Sequence, residues 1–424
     1  MKLFTPHAAS KRYLVRAWVG TLLACAIAAG ASALSHADSV AADAAYPHAA
    51  ERIGSIYDVY NGALTPDLAV ATFRNIDRLF PTRSVAPGAT PYPLPRADAS
   101  LTRVVISSNG KTYDLFDYLA LNRVSGLLVL KDGKIAYETY QYGNTPETRW
   151  MSMSVVKSIT STLFGMALKD GYIGSLDDDV TRYVSKLAGT AYEGVSIRDI
   201  LMMASGVRWN EAYTDPNSDR RHLLEAQIGQ KPGAALDVMS RLERAAPPGT
   251  VNVYSTGETQ VAAEILRSAT GKSLAGYLSE KIWSKYAMEA PATWWLDSPE
   301  GVEIGGSGFS ATLRDYGRFG LFIMNGGMID GRSLLPERWV DEAGSPKILS
   351  NGQSLNYGYF WWIPPAGPSR EDGAFYAGGI QGQGLYVNRK EKVVIVVWGA
   401  QSKPSGVAPI SPLDFYDSVV TALR

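Results

Sequence analysis

Strand-forming runs stand towards both ends of this chain and helix-forming runs fill its middle, and this order restricts the fold more than any other feature. Near the front, Gly126–Leu130 and Ile135–Tyr142 flank Lys131-Asp132-Gly133-Lys134. The Asp-Gly pair there marks a tight hairpin turn. A weaker strand signal precedes it at Arg103–Ile106. Near the far end, Tyr357–Trp362, Gly384–Asn388 and Val393–Trp398 read as strands, and a closing helix runs from Ser411 or Pro412 to Leu423. Between these blocks the periodicity predicts helices at 197–203, 220–230, 234–246, 257–268 and 313–324, most of them ended by Gly or Pro. Strands from both ends with helices between them predict an α+β fold. It has one antiparallel sheet built from both chain ends, flanked by helices, with an inserted, mostly helical lobe. The expected boundaries are a leader and connector over 38–100 and a main domain over 101–424. Within that domain the sheet-bearing parts are 101–172 and 300–424, and the helical lobe is 173–299. The leader has helical spacing over Leu68–Leu79, and Pro81, Pro87, Pro91, Pro93 and Pro95 make the segment after it extended.

The first residues carry an address. Lys2, Lys11, Arg12 and Arg16 form a basic start, Ala17–Leu34 is apolar and rich in small residues, and Ser35-His36-Ala37 suits a signal peptidase. Residues 1–37 are therefore expected to be a signal peptide, and the mature chain to be periplasmic or secreted with no stable membrane span. Leu22-Leu23-Ala24-Cys25 resembles a lipobox, but the long apolar run after Cys25 makes a lipoprotein the lesser reading. Cleavage after Ala37 would remove the single cysteine, excluding disulfide and thiol chemistry. It would also cut four histidines to His48 and His222, which leaves too few for a conventional zinc site, so no metal or cofactor is expected. Losing the basic start turns a balance of 41 basic and 41 acidic side chains slightly acidic, and no basic stripe suggests nucleic acid.

Chemistry enters at Trp150-Met-Ser-Met-Ser154-Val-Val-Lys157-Ser-Ile-Thr160. Val155, Val156, Ile159, Leu163, Phe164, Met166 and Ala167 recur at the spacing of a buried helix, which stops at Lys169-Asp170-Gly171. Ser154 then sits at the helix N-terminus with Lys157 one turn on, where a hydroxyl and an amine can meet. A desolvated lysine with a lowered pKa is one of the few groups able to activate a serine at neutral pH. Free N–H groups at the helix start suit a developing oxyanion. The motif alone does not separate this reading from a serine cap on a core helix. Ser108-Asn109-Gly110-Lys111 has the same spacing, yet its Asn-Gly pair reads as a turn. A Ser-His-Asp arrangement has little support: His222 is the lone histidine beyond the leader, and there is no Gly-x-Ser-x-Gly elbow.

Ser154-Val-Val-Lys157, Tyr254-Ser-Thr256 and Tyr376-Ala-Gly-Gly-Ile-Gln-Gly-Gln383 occur in the order of the serine β-lactamase and penicillin-binding-protein superfamily. More narrowly, the chain resembles class C-related hydrolases that include the aminohexanoate-dimer (nylon-oligomer) hydrolases and related esterases. Supporting similarity runs from Phe73-Arg-Asn-Ile-Asp77 through Leu201–Gly206 and Gly305-Gly306-Ser307-Gly308 to Tyr357-Gly-Tyr359. The resemblance implies a β-lactamase/transpeptidase-like fold and a serine hydrolase for small amide or ester substrates. It implies Ser154 as nucleophile and Lys157 as base. Tyr254 would be a proton relay with its pKa lowered by Lys157, and the backbone N–H groups of Ser154 and Ile380 would be the oxyanion donors. Tyr213, Thr256 and Gly379 would contact substrate. Two departures narrow the substrate. Thr256 stands where class C β-lactamases carry Asn, and Ala377 stands where a lysine would hold a substrate carboxylate. Both favour an ester or amide other than a β-lactam. A class C β-lactamase or D-alanyl-D-alanine carboxypeptidase is the second reading, and an inactive cell-envelope binding protein the third.

Overall fold

The near-continuous apolar runs of the terminal blocks need cover on both faces, and the fold supplies it. The computed structural model describes residues 46–98, 101–406 and 408–424. The proposed signal peptide and Cys25 lie outside them. Glu51–Arg424 forms one unit, and the described part of the other, residues 46–50, is a turn.

The main sheet is antiparallel, with five strands in the order Phe375–Gly379, Gln383–Asn388, Val393–Gly399, Val124–Lys131, Lys134–Tyr140. Chain ends meet at its centre, where Val394 pairs with Leu130 and Val396 with Leu128. Every residue of Val393–Gly399 is buried. Helix Leu313–Met324 covers one face. Gly317 and Gly320 let it approach closely: a β-carbon at either would stand 2.5 Å from Leu128 or 2.4 Å from Val394. Helices Leu115–Leu121 and Pro412–Ala422 cover the other face, with Tyr118 stacked on Phe415 at 3.7 Å. The predicted α+β sheet of both chain ends is thus present.

A second antiparallel sheet, in the order Thr82–Val85, Ala292–Trp295, Phe309–Thr312, Arg149–Met151, went unpredicted because its strands span only three or four residues. Thr82–Val85 falls in the stretch read as connector and Ala292–Trp295 in the stretch read as helical lobe. Two strand expectations need correction. Tyr357–Trp362 is a loop folded on itself: Tyr357 bridges Trp362, Phe360 has φ 58°, and Trp362 in turn bridges Tyr376. Its run of aromatics, interrupted only by Gly358, has no polar alternation to show the reversal. Arg103–Ile106 is extended only from Ile106, where Ile106–Ser108 pairs with Lys111–Tyr113 around Asn109 (φ 52°) and Gly110 (φ 73°). Ser108 and Lys111 are therefore turn residues, as the Asn-Gly pair predicts.

The helices between the sheets match their sequence signals, with earlier stops for Ile197–Leu201 and Ala234–Ser240. Thr256–Thr270 is capped by the Ser255 side chain and ends at left-handed Gly271. No helix among the described residues is long and apolar enough to cross a membrane.

Candidate active site

The strand Arg149–Met151 delivers the chain to Ser154. Ser152 N–H donates to Phe309 O at 2.7 Å, holding that end of the chain to the second sheet. Met153 then takes φ 41°, a left-handed conformation that an unbranched side chain tolerates at a cost of about 1–3 kcal/mol. The reversal lifts Ser154 into a 3₁₀ turn, Met153–Val155, which runs into the α-helix Val156–Lys169. Ser154 is half-buried while Met153, Val155 and Lys157 are buried. The expected helix start is where the sequence puts it, and Gly171 after its end has φ 78°.

Lys157 Nζ donates to Ser154 Oγ at 2.9 Å, to Thr256 Oγ1 at 3.0 Å and to the Gly306 carbonyl at 2.9 Å. Among the described residues, no carboxylate is within ion-pair distance of the amine. Burial lowers its pKa from 10.5 to about 7, the charge of Glu211 opposing that shift and the charge of Arg220 adding to it. Gly306 must be a glycine: a β-carbon there would lie 2.1 Å from Thr259 Oγ1 and 2.9 Å from Lys157 Nζ.

Tyr254 stacks on Trp362 with ring centroids 5.2 Å apart, and Lys157 Nζ lies 5.3 Å from the Tyr254 ring centre. The Ser154 side chain is near enough to its hydroxyl to act on its pKa. Contrary to the expected lowering, the Tyr254 pKa is raised: burial dominates, the charge of Glu211 reinforces it, and the opposing effects of Ser154 and Arg220 are smaller. An amine that is itself driven neutral supplies little cation density to a phenol.

Glu211 is the polar hub beside this trio. Its carboxylate accepts from Thr256 N–H at 2.9 Å, Thr256 Oγ1–H at 2.5 Å and the Trp209 indole N–H. Thr256 is buried, and its hydroxyl lies between Lys157 and Glu211 rather than on the cleft wall. Tyr213 lines the cleft, and Arg220, buried and hydrogen-bonded to Tyr60, lies behind it.

On the opposite side, Phe375–Gly379 runs along the turn that carries Ser154. A β-carbon on Gly379 would stand 3.1 Å from Ser154 N and 2.7 Å from Ser152 O, so only glycine leaves that amide open. Ile380 follows at the start of a 3₁₀ turn, Ile380–Gly382. Ser154, Gly379 and Ile380 all line a cleft of about 840 Å³. Tyr213, Tyr254, Trp362, Tyr376 and Tyr416 place aromatic rings on the cleft wall, and Glu211 and Lys403 place charged side chains on it. Ala377 is buried in the strand, away from the lining. Among the described residues, no group of three or more His, Cys, Asp or Glu could hold a metal ion.

The beta-lactamase family model matches residues 121–412, which hold Ser154, Lys157, Glu211, Tyr254, Thr256, Gly306 and Ile380. This chain belongs to the beta-lactamase family. A 6-aminohexanoate-dimer hydrolase from Paenarthrobacter ureafaciens is 28% identical over 341 residues, spanning 76% of this chain and 83% of that protein. A Bacillus anthracis protein named for the same dimer-hydrolase activity superposes with a TM-score of 0.72 at 25% identity, covering 84% of this chain and 92% of that one. A penicillin-binding-protein homologue from Caulobacter crescentus shares the fold with a TM-score of 0.53 at 16% identity, covering 70% and 91%. This member of the beta-lactamase family is accordingly a hydrolase similar to 6-aminohexanoate-dimer hydrolases.

Three members of the site escaped the sequence reading. Gly306 stood within a glycine-rich stretch with no partner to suggest its role. Glu211 adjoined the singled-out Tyr213 but gave no sign of reaching Thr256. Arg220 read as one more polar position on a helix.

Proposed function

We propose that this chain cleaves amide or ester bonds of small molecules through an acyl-enzyme, with Ser154 as nucleophile, Lys157 as base and Tyr254 as proton relay. The observation that carries the proposal is the amine of Lys157, dry and free of carboxylate contact, 2.9 Å from Ser154 Oγ. In the neutral form it accepts the Ser154 proton as Oγ attacks the substrate carbonyl carbon. The N–H groups of Ser154 and Ile380 hold the oxyanion. Collapse breaks the bond to the leaving nitrogen or oxygen, which takes a proton from Tyr254 while Lys157 returns its own to Tyr254. Water then attacks the acyl carbon along the same relay in reverse, releasing the acid and restoring Ser154. The raised pKa of Tyr254 suits this role, because a phenol that keeps its proton is available to donate it.

The cleft supports an extended, largely apolar substrate. Several aromatic rings line it, and the absence of a lysine at position 377 argues against substrates anchored by a carboxylate there, such as β-lactams. Tyr213 and Gly379 are proposed to contact the substrate. Export also belongs to the proposal: residues 1–37 are read as a signal peptide that delivers residues 38–424 to the periplasm or beyond, and fractionation with N-terminal sequencing tests it. A purified-protein panel of esters, linear amides and lactams tests the activity. Ester hydrolysis that vanishes in Ser154→Ala supports the mechanism; hydrolysis intact in that variant refutes it. Nitrocefin turnover would instead favour the β-lactamase reading, and failure of a fluorophosphonate to label Ser154 the inactive binding protein.

A further inference from the structure

We infer that Glu211 is a positioning residue which, through the Thr256 hydroxyl, aims the lone pair of Lys157 at Ser154. The inference rests on the proposed roles of Ser154 and Lys157 and comes from counting protons. A protonated Lys157 has three N–H bonds, and Ser154 Oγ, Thr256 Oγ1 and Gly306 O take all three. A neutral amine has two N–H bonds and one lone pair, so one of the three partners must supply a proton. The Gly306 carbonyl has none. The Thr256 proton is committed to Glu211 Oε1 at 2.5 Å, so towards Lys157 this hydroxyl can only accept. Ser154 Oγ–H is left as the one donor, and the lone pair faces the proton it is to remove.

Glu211 is held to this task. Its other oxygen, Oε2, accepts from Thr256 N–H at 2.9 Å and from the Trp209 indole N–H. Both are donors that cannot reverse. A glutamine at 211 would turn its carbonyl oxygen to those two donors and its NH₂ to Thr256 Oγ1. The Thr256 hydroxyl would then accept from the amide and donate to Lys157, occupying the lone pair that Ser154 requires. The substitution is nearly isosteric, yet it inverts the direction of the whole chain of hydrogen bonds.

The charges facing Lys157 are Glu211 and Arg220, and the neighbouring titratable side chain is Tyr254. Glu211 raises the lysine pKa, so its neutralisation lowers it further. The test is the pH profile of p-nitrophenyl ester hydrolysis for Glu211→Gln, Thr256→Val and Thr256→Ser. Glu211→Gln is expected to lose about a hundredfold in kcat, with the acid limb of kcat/KM moved to lower pH. Thr256→Val is expected to lose a similar factor with the limb unmoved, because the charge remains. Thr256→Ser, which keeps the hydroxyl, recovers about tenfold or more of that loss. A merely structural role would open the site to water and move the limb upwards, towards the ordinary lysine range. That result, or wild-type kcat in Glu211→Gln or Thr256→Val, overturns the inference. Activity surviving in Ser154→Ala or Lys157→Ala would instead refute the nucleophile and base on which it rests.

Discussion

Lys157 is the group on which the proposed chemistry turns, and its burial makes a quantitative prediction about pH. With its pKa lowered to about 7 by burial, half the amines are free at pH 7. At pH 5 about one enzyme in a hundred carries the free amine, so kcat/KM for a p-nitrophenyl ester falls about tenfold per pH unit below 7. Tyr254 is pushed above its ordinary range, so no alkaline loss enters between pH 8 and 10. Stability must follow the same titration. Below about pH 7 folded and unfolded chains both hold the lysine proton, and between about 7 and 10.5 only the unfolded chain does. The contribution of this group to stability therefore rises with pH across that window, with a limiting slope of about 1.4 kcal/mol per unit. Lys157→Met removes the slope along with the activity. Stopped-time esterase assays and urea unfolding of both proteins from pH 5 to 10 read the two effects. An acid limb centred near 10, or one left at 7 in a Lys157 variant that remains active, would refute the assignment of the base.

Other side chains make narrower predictions. Gly306→Ala puts a methyl within 2.9 Å of Lys157 Nζ and 2.1 Å of Thr259 Oγ1, so esterase activity should fall by far more than thermal stability predicts, checked by paired kinetics and melting curves. A β-carbon at Gly378 meets nothing closer than Tyr376 at 3.8 Å and Trp362 at 4.0 Å. Gly378→Leu should hold stability within about 0.5 kcal/mol while raising KM for bulky esters more than for acetates. Glu258 is buried, hydrogen-bonded by Ser205 on one oxygen and without a partner on the other, and burial raises its pKa from 4.5 to about 8. The folded chain keeps this proton between those values while the unfolded chain loses it, so stability falls with rising pH there; Glu258→Gln should gain on the order of a few kcal/mol at pH 8 and little at pH 4.5, read from urea midpoints.

Much of this was legible in the chain because the signals were local. The Asp-Gly hairpin, the Leu313–Met324 helix and the buried helix behind Ser154 each carry their own periodicity or cap. The second sheet was not legible, since a strand such as Arg149–Met151 is too short to show a period and exists only because Phe309–Thr312 lies beside it. The aromatic-rich run Tyr357–Trp362 misled for the opposite reason: aromatic rings stand at five of its six positions, so alternation could not reveal that the backbone doubles back. At the site, Ser154, Lys157 and Tyr254 stood in motifs, while Gly306 and Glu211 act through one carbonyl and one carboxylate brought in from remote loops. A single sequence holds no trace of such a meeting.

The reversal at Tyr254 bears on how the site divides its labour. Burial alone pushes a lysine down and a tyrosine up, because in each case it disfavours the charged form. Just above pH 7 the same dry environment therefore leaves a mostly neutral amine and a neutral phenol side by side, with Glu211 and Arg220 as the neighbouring charges. A neutral amine can accept a proton and a neutral phenol can donate one, so the proposed acid and base roles would arise from a single physical cause without a cation tuned against an anion. The arrangement also accounts for the glycine at 306. A side chain there would displace Lys157 from its three partners, and a lysine moved towards water would regain its proton and cease to be a base.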